Sequence, residues 1–459
     1  MFPKKTYIDR RKKLKVKFDS GILLFLGNEE SPMNYADNPY KFRQDSNFLY
    51  YWGLDEPALA AIIDIDNNEE IIFGDDFSLN DIIWMGPQPS IQEKAEEVGV
   101  MKTKPWEELP GYLKSDREIH YLPPYRGEQT ITLSQIMDVD PTAVEFNASE
   151  KLIKAVVSQR EKKTDEEILQ IETAVDLAAQ MHIAVMQMLE PGMYEHEACG
   201  AMEGIVLASD SRLSFPPIFS VDGETLHNHY HGNQVKAGDI LINDSGAESE
   251  LHYASDITRT VSVSGKFTSR QKDIYQIVLN ANKKGIKASR PGVKNKDVHL
   301  QAAHEIALGL KDLGLMKGDI DQAVQEGAHA LFFPHGLGHM LGLDVHDMEA
   351  LGEKYVGYDE ETQRSDQFGL SALRLGKKLE PGFVVTIEPG IYFIPELIDR
   401  WKEDGKHEAF INYQKAEEYK DFGGIRIEDD ILITEKDQRV LGMPIPKEVD
   451  EVERICQGE

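Results

Sequence analysis

Ala237-Gly238-Asp239-Ile240-Leu241-Ile242-Asn243-Asp244 returns in kind as Pro381-Gly382-Phe383-Val384-Val385-Thr386-Ile387-Glu388. In each stretch a glycine turn leads into an apolar run of buried-strand length, and a carboxylate follows the glycine by six residues. A buried, unpaired carboxylate is costly, so such groups pair, protonate or hold a cation. The likeness extends in both directions. Upstream, Thr164-Asp165-Glu166-Glu167 and Thr268-Ser269-Arg270-Gln271 both have capping-box spacing. Ile168, Ile171, Val175, Ala178 and Met181 follow the first at helical spacing. Ile274, Ile277, Val278 and Ala281 follow the second, and Pro191-Gly192 and Pro291-Gly292 stop the two helices. A further helical stretch comes after each stop, Glu195 to Ala208 and Lys296 to Leu310. Histidines come next in both cases: His227, His229 and His231, then His335, His339 and His346. Downstream, Asp256-Ile257-Thr258-Arg259-Thr260-Val261 and Ile425-Arg426-Ile427-Glu428 are second strands with another carboxylate each. The chain from 161 to 459 therefore reads as an internal duplication. Two α+β halves related by a pseudo-two-fold would bring four carboxylates to one centre.

Between these landmarks lies Pro334-His335-Gly336-Leu337-Gly338-His339-Met340-Leu341-Gly342-Leu343-Asp344-Val345-His346-Asp347. Gly336 and Gly338 argue against a continuous helix, since each costs roughly 1 kcal/mol against alanine there. They suit a loop that something approaches closely. Imidazole is a common metal ligand and proton carrier, yet the loop alone is also compatible with no chemistry. Four matched carboxylates change the balance. Asp244, Asp256, Glu388 and Glu428 with one imidazole are a hard-leaning set without thiolates, suited to Mn²⁺, Fe²⁺, Co²⁺ or Zn²⁺ rather than copper or an iron–sulfur cluster. They carry more charge than one divalent ion needs. Two ions about 3.5–4 Å apart would use it, and a water between them would be acidified towards a hydroxide nucleophile. In an extended strand Arg426 lies on the same face as Glu428 and would stay beside it.

Residues 1–160 alternate strand and helix signals and read as an α/β domain. The strand candidates are Gly21–Leu26, Phe48–Trp52, Leu59–Ile65 and Glu70–Phe73, and the charged stretch Ser149–Lys163 connects this domain to the next. A length of 459 residues suits two domains. The net charge of −30 argues against nucleic acid or an anionic membrane as partner. Cys199 and Cys456 sit in no CxxC pattern, which argues against a disulfide framework or a thiolate zinc site. No apolar run approaches the ~20 residues of a membrane span, and no signal peptide is evident. A cytoplasmic protein is the expectation.

Taken together, His335-Gly336-Leu337-Gly338-His339, Asp344-Val345-His346-Asp347, Ser255-Asp256-Ile257-Thr258-Arg259-Thr260, Thr386-Ile387-Glu388-Pro389-Gly390-Ile391-Tyr392 and Gly424-Ile425-Arg426-Ile427-Glu428-Asp429 resemble the motifs of the pita-bread metallopeptidases. The nearest branch comprises aminopeptidase P and prolidase, which cleave Xaa-Pro bonds. Phe42-Arg43-Gln44-Asp45-Ser46-Asn47-Phe48, Gly53-Leu54-Asp55-Glu56-Pro57 and Ile83-Trp84-Met85-Gly86 resemble the aminopeptidase P N-terminal domain. The resemblance implies that Asp244, Asp256, His339, Glu388 and Glu428 ligate two divalent ions, usually Mn²⁺ in this branch, with Asp256 and Glu428 bridging them. It implies that Glu388 also accepts a proton from the attacking water. His335 and His346 would contact the substrate carbonyl and stabilise the developing oxyanion, and His227 would be a further substrate-side group. Arg426 would orient a ligand from behind, and Trp84 and Tyr392 would border the substrate pocket, Trp84 across a subunit boundary. His229 and His231 have no counterpart and read as loop histidines. Proline-containing peptides are the implied substrates, and a homo-oligomer, dimer or tetramer, the implied assembly.

Two departures bear on the choice within that branch. The twelve residues from Asp244 to Asp256 are one more than is common in aminopeptidase P, and the segment between Tyr392 and Gly424 is long and prolidase-like. The leading reading is removal of an N-terminal residue that precedes proline. An Xaa-Pro bond is a tertiary amide with no N–H, which calls for a dedicated pocket. The alternative is a prolidase restricted to Xaa-Pro dipeptides. A non-catalytic pita-bread binding protein, or the metal-free creatine-hydrolysing relative, would not need every ligand position filled, as it is here.

Overall fold

The apolar runs of the N-terminal unit form one mixed sheet. In the computed structural model, which describes residues 1–114 and 116–458, this unit comprises Met1–Arg160 and Ala350–Tyr355. Its strands are β1 (Ile22–Leu26), β2 (Ala60–Asp64), β3 (Glu69–Phe73), β4 (Thr103–Lys104) and β5 (Ile119–Tyr121), in the order β4-β3-β2-β1-β5. β1 runs antiparallel to β2 and parallel to β5. β1 and β2 read as continuous apolar runs because nearly every residue on both of their faces is buried. Phe48–Trp52 is not the strand its aromatic content suggests. Ser46–Trp52 is a fully buried helix, opened by the Asp45 carboxylate, which accepts from the N–H groups of Asn47 and Phe48 at 2.9 Å each. Gly53, at φ +66°, closes it. Local caps here override the strand preference of aromatic residues.

The second unit comprises Glu161–Glu349 and Val356–Glu459 and is built twice over. The first half carries helices Asp165–Met188 and Glu195–Ala208, then β6 (Ile218–Ser220), β7 (Ile240–Ser245) and β8 (Ile257–Ser262), paired in that order. The second carries helices Ser269–Ala288 and Asn295–Asp312, then β9 (Val384–Ile387), β10 (Gly390–Tyr392), β11 (Gly424–Arg426), β12 (Asp429–Ile433) and β13 (Gln438–Val440). These strands pair as β13-β12-β9 and β10-β11. Both long helices are opened by the expected capping boxes, at Thr164 and Thr268. The duplication holds to single hydrogen bonds. Gly192 and Gly292 both have positive φ, and their N–H groups donate to the carbonyls of Val235 and Leu379 at 2.8 Å. Three residues on, the N–H groups of Glu195 and Asn295 both donate at 3.0 Å, to Asn233 and Lys377. Gly238 and Gly382, at φ +96° and +89°, make the turns that launch β7 and β9.

Each long helix also pins the strand beside it with one buried polar side chain. The Asn282 amide donates to the Ile387 carbonyl at 3.0 Å. His182 Nε2 lies 3.1 Å from the Ser245 carbonyl and its Nδ1 3.1 Å from the Asn243 amide nitrogen. A carbonyl only accepts, so Nε2 carries the proton and Nδ1 accepts from Asn243. Burial, and then Arg259, push the His182 pKa down to about 3. A histidine that stays neutral in the fold but charges when unfolded withdraws stability as pH falls from its ordinary 6.5 towards that value. Urea unfolding is therefore expected to show His182→Gln losing less stability than the parent between pH 7 and pH 5. Equal losses would show that His182 is not the group responsible. No helix among the described residues is long and apolar enough to cross a membrane.

Candidate metal centre

The histidine loop reaches the strand ends by running alongside β9. Thr386 N–H donates to the His339 carbonyl at 3.0 Å, Leu341 N–H to Val384 at 3.0 Å, and Glu388 N–H to Leu337 at 2.8 Å. This close approach accounts for Gly338, where a Cβ would lie 2.0 Å from the Thr386 carbonyl oxygen. His339 Nδ1 is 3.0 Å from the Met340 carbonyl, so Nδ1 carries the proton and Nε2 keeps a lone pair. That lone pair lies 3.3 Å from Asp256 Oδ2 and 3.8 Å from Glu388 Oε1. Burial, followed by His346, holds the His339 pKa well below its ordinary value, so the imidazole is neutral. An acceptor nitrogen facing acceptor-only carboxylates requires a cation or a proton between them.

The carboxylates converge from both halves. Asp244 lies in β7, Asp256 immediately before β8, Glu388 immediately after β9, and Glu428 between β11 and β12. Ligand atoms of Asp256, His339 and Glu428 all lie within 4.8 Å of one another. Asp244 Oδ1, Asp256 Oδ1 and Glu428 Oε1 are buried without a hydrogen-bond partner, while the second oxygen of Glu428 accepts from Thr258 Oγ1 at 2.7 Å. Unpartnered anionic oxygens around a neutral imidazole fit divalent cations well. Burial, with the neighbouring carboxylates adding to it, raises Asp256 and Glu428 well above the ordinary carboxyl range. Burial also pushes Glu388 up to about 8, although Arg426 opposes it. Arg426 pairs with Asp244 rather than Glu428 and reaches Glu428 only through the Thr258 hydroxyl, to which its Nε donates at 3.2 Å.

A cavity of about 500 Å³ opens over these groups, lined also by His227, His229, His335, His346 and Arg374. His229 thus borders the site, although its sequence position gave no reason to expect it there. Partial burial, then Arg426, lower the pKa of His227. His346 Nδ1 is 2.6 Å from Glu349 Oε2, and Arg374 pairs with the other oxygen of Glu349. The Glu349 carboxyl is held below its ordinary range, chiefly by the His346 bond, so it accepts Nδ1–H and leaves His346 Nε2 for the cavity. Neither Glu349 nor Arg374 was signalled in sequence, except by Arg374 standing between Leu373 and Leu375.

His335 and Tyr392 depart from the roles expected of them. His335 Nδ1 lies 2.8 Å from the Gly336 carbonyl and must donate to it. Burial pushes the ring's pKa down to about 3, so Nε2 is a bare acceptor, and Tyr392 O–H donates to it at 2.9 Å. Arg426 in turn donates to the Tyr392 oxygen at 2.9 Å and to Asp244. In this arrangement His335 has no N–H left for a substrate oxyanion. Tyr392 is fully buried behind it and is not a wall of the cavity. Trp84 sits 78% exposed on helix Leu79–Met85 of the N-terminal unit. Tyr392→Phe is expected to cost about 1–3 kcal/mol of stability, because it strands the buried Arg426 N–H and the half-buried His335 Nε2. Chemical denaturation would check this, and a change below 0.5 kcal/mol would break the proposed directionality of the chain of bonds.

Residues 170–435 match metallopeptidase family M24, and residues 7–120 match the aminopeptidase P N-terminal domain. The chain is 32% identical to the Xaa-Pro dipeptidase of Mus musculus over 458 residues, covering 98% of this chain and 91% of that one. It is 33% identical to a probable Xaa-Pro aminopeptidase of Fusarium vanettenii over 466 residues, covering 100% and 97%. Among solved structures it is similar to an alanine variant of Escherichia coli aminopeptidase P in complex with substrate, with TM-score 0.82 and 28% identity over 100% of this chain and 99% of that one. A two-halved fold around clustered carboxylates and one imidazole defines a pita-bread metallopeptidase. The chain belongs to metallopeptidase family M24 and carries an aminopeptidase P-type N-terminal domain.

Proposed function

We propose that the protein hydrolyses Xaa-Pro peptide bonds and releases the residue that precedes proline, with two divalent ions, Mn²⁺ first among them, at the centre. The observation that carries this reading is the set of unpartnered buried oxygens of Asp244, Asp256 and Glu428, with the Asp256 and Glu428 carboxylates clustered about the His339 imidazole. Asp244, Asp256, His339, Glu388 and Glu428 would hold the ions, which supply Lewis acidity for the scissile carbonyl and lower the pKa of the attacking water. Glu388, at the edge of the cavity, would take the proton of that water. His346, steadied by Glu349, would face the substrate through Nε2, with His227 further out, and Arg426 would hold Asp244 in place. Loaded with Mn²⁺, the purified protein is expected to release the first residue of Xaa-Pro-Xaa peptides. No cleavage with Mn²⁺, Co²⁺ or Zn²⁺ would overturn the reading.

One observation favours the second reading, an Xaa-Pro dipeptidase. The Arg374 guanidinium borders the cavity, and a free proline carboxylate is a good partner for such a cation. If it serves that role, Arg374→Ala should raise KM for Xaa-Pro dipeptides by about 10–100-fold, the loss expected for a hydrogen bond to a charged group. KM for a tripeptide, whose carboxylate lies one residue further on, should change far less. Equal effects on the two would remove Arg374 from specificity.

A homo-oligomer belongs to the same proposal. Leu79, Ile83, Trp84 and Met85 are each 69–78% exposed on one short helix, and a clustered apolar surface marks a protein contact. In sedimentation, Trp84→Asp should shift the protein towards monomer. The unpaired Cys199 and Cys456 accord with a reducing, cytoplasmic setting.

A further inference from the structure

Glu161, Lys162 and Lys163 open the second unit, and all three reach the stretch from Lys377 to Gly382. Glu161 pairs with Lys377 at 2.7 Å and Lys162 with Glu380 at 2.6 Å, while Lys163 N–H donates to the Gly382 carbonyl at 2.8 Å, where β9 begins. The Lys163 side chain turns inward. Its ammonium lies 3.0 Å from Asp347 Oδ2, and both side chains are 1% exposed. A lone buried ammonium would be strongly unfavourable, so Lys163 depends on the Asp347 carboxylate.

Asp347 ends the histidine loop and closes it. Its N–H donates to the Met340 carbonyl at 2.9 Å, and its Oδ1 lies 3.4 Å from Asp344 N. Gly342 is pressed against its carboxylate, where a Cβ would come within 2.5 Å of Oδ2. The Met340 carbonyl that receives Asp347 N–H also receives His339 Nδ1–H. His346 is the residue immediately before Asp347. The orientation of both histidines is thus tied to where the Asp347 carboxylate rests.

We infer that Lys163 is a positioning residue, whose buried ammonium seats Asp347 and through it fixes the turn that aims His339 at the metal centre and His346 at the substrate. This rests on the proposed Xaa-Pro hydrolysis only for its kinetic arm. Lys163 touches neither the cavity nor the clustered carboxylates, and it precedes the Thr164 cap of the first long helix, where helix-start signals account for the sequence around it.

The test compares Lys163→Met, Asp347→Asn and the double variant with the parent. Thermal unfolding, calorimetric titration of the metal-free protein with Mn²⁺, and kcat and KM on an Xaa-Pro tripeptide are measured for each. Lys163→Met removes the cation 3.0 Å from the buried Asp347 carboxylate and should lower Tm, whereas the double variant removes both charges and should recover much of it. A merely structural pair would bring metal affinity and kcat back together with Tm. Positioning predicts otherwise: in the folded double variant Mn²⁺ binding stays at least fivefold weaker and kcat at least tenfold lower. If Lys163→Met does not fold, the double variant decides alone. Mn²⁺ affinity and kcat within twofold of the parent in that variant would overturn the inference. If the parent itself cleaves no Xaa-Pro peptide, the proposed activity has failed. The Mn²⁺ titration then still decides the role of Lys163.

Discussion

Glu388→Gln is expected to lower kcat by about 10²–10⁴-fold, the usual contribution of a positioned acid–base group. The amide keeps the shape and one oxygen of the carboxylate but cannot accept a proton. Glu388 sits immediately after β9 at the edge of the cavity, with the Asp244 carboxylate and the Arg426 and Arg374 guanidinium groups around it, and in the metal-free protein burial pushes its pKa up to about 8. KM should move much less than kcat, because nothing in this role needs Glu388 to bind the peptide. Metal content measured by emission spectroscopy must accompany the assay, since Glu388 is also a proposed ligand. A variant with near-parental metal content and kcat within tenfold of the parent would place the proton acceptor elsewhere.

The second large effect is on stability and depends on pH. Without cations, Asp256, Glu388 and Glu428 all bind protons more tightly folded than unfolded. A group with a raised folded pKa contributes stability that is fully present below its unfolded value and is lost as pH rises through its folded value. For Glu388 that window runs from the ordinary 4.5 to about 8. The metal-free protein should therefore lose stability at this centre as pH rises across that window. Divalent ions displace the protons and neutralise the carboxylates, so their stabilising effect should grow in the same direction. At a free ion concentration 100 times Kd the gain is about 2.7 kcal/mol. Thermal unfolding with chelator and with Mn²⁺, at pH 6 and pH 8, should show the Mn²⁺ increment in Tm larger at pH 8. An increment that is absent, or larger at pH 6, would contradict the metal centre.

Much of this architecture is local enough to be legible in one sequence. Caps at Thr164 and Thr268, stops at Gly192 and Gly292 and turns at Gly238 and Gly382 are set by side-chain chemistry within a few residues, so their repetition exposes the two halves. Asp244 and Glu388 stand out because they end apolar runs, and Asp256 and Glu428 because each half has a second strand with a carboxylate. What was not legible depends on contacts distant in sequence. Phe48–Trp52 is the exception: its strand-like composition hid a helix whose caps, Asp45 and Gly53, stand beside it in the sequence. Tyr392 lies in a motif beside a carboxylate, but which way its hydroxyl points is decided by Arg426 and His335, both remote along the chain. Arg374 and Glu349 carry no periodic signal and become recognisable only once the fold brings them beside His346.

The division of the proposed ligands between the halves has a mechanical consequence. Asp244 and Asp256 belong to the first half, and His339, Glu388 and Glu428 to the second. An ion held by residues of both is a removable cross-link between distant stretches of chain. Like a disulfide it ties distant stretches of chain together, but it binds only the folded protein and a chelator withdraws it. Chelation should therefore do more than silence the enzyme. It should uncouple the two halves, so that one yields to denaturant before the other where the loaded protein unfolds in a single step.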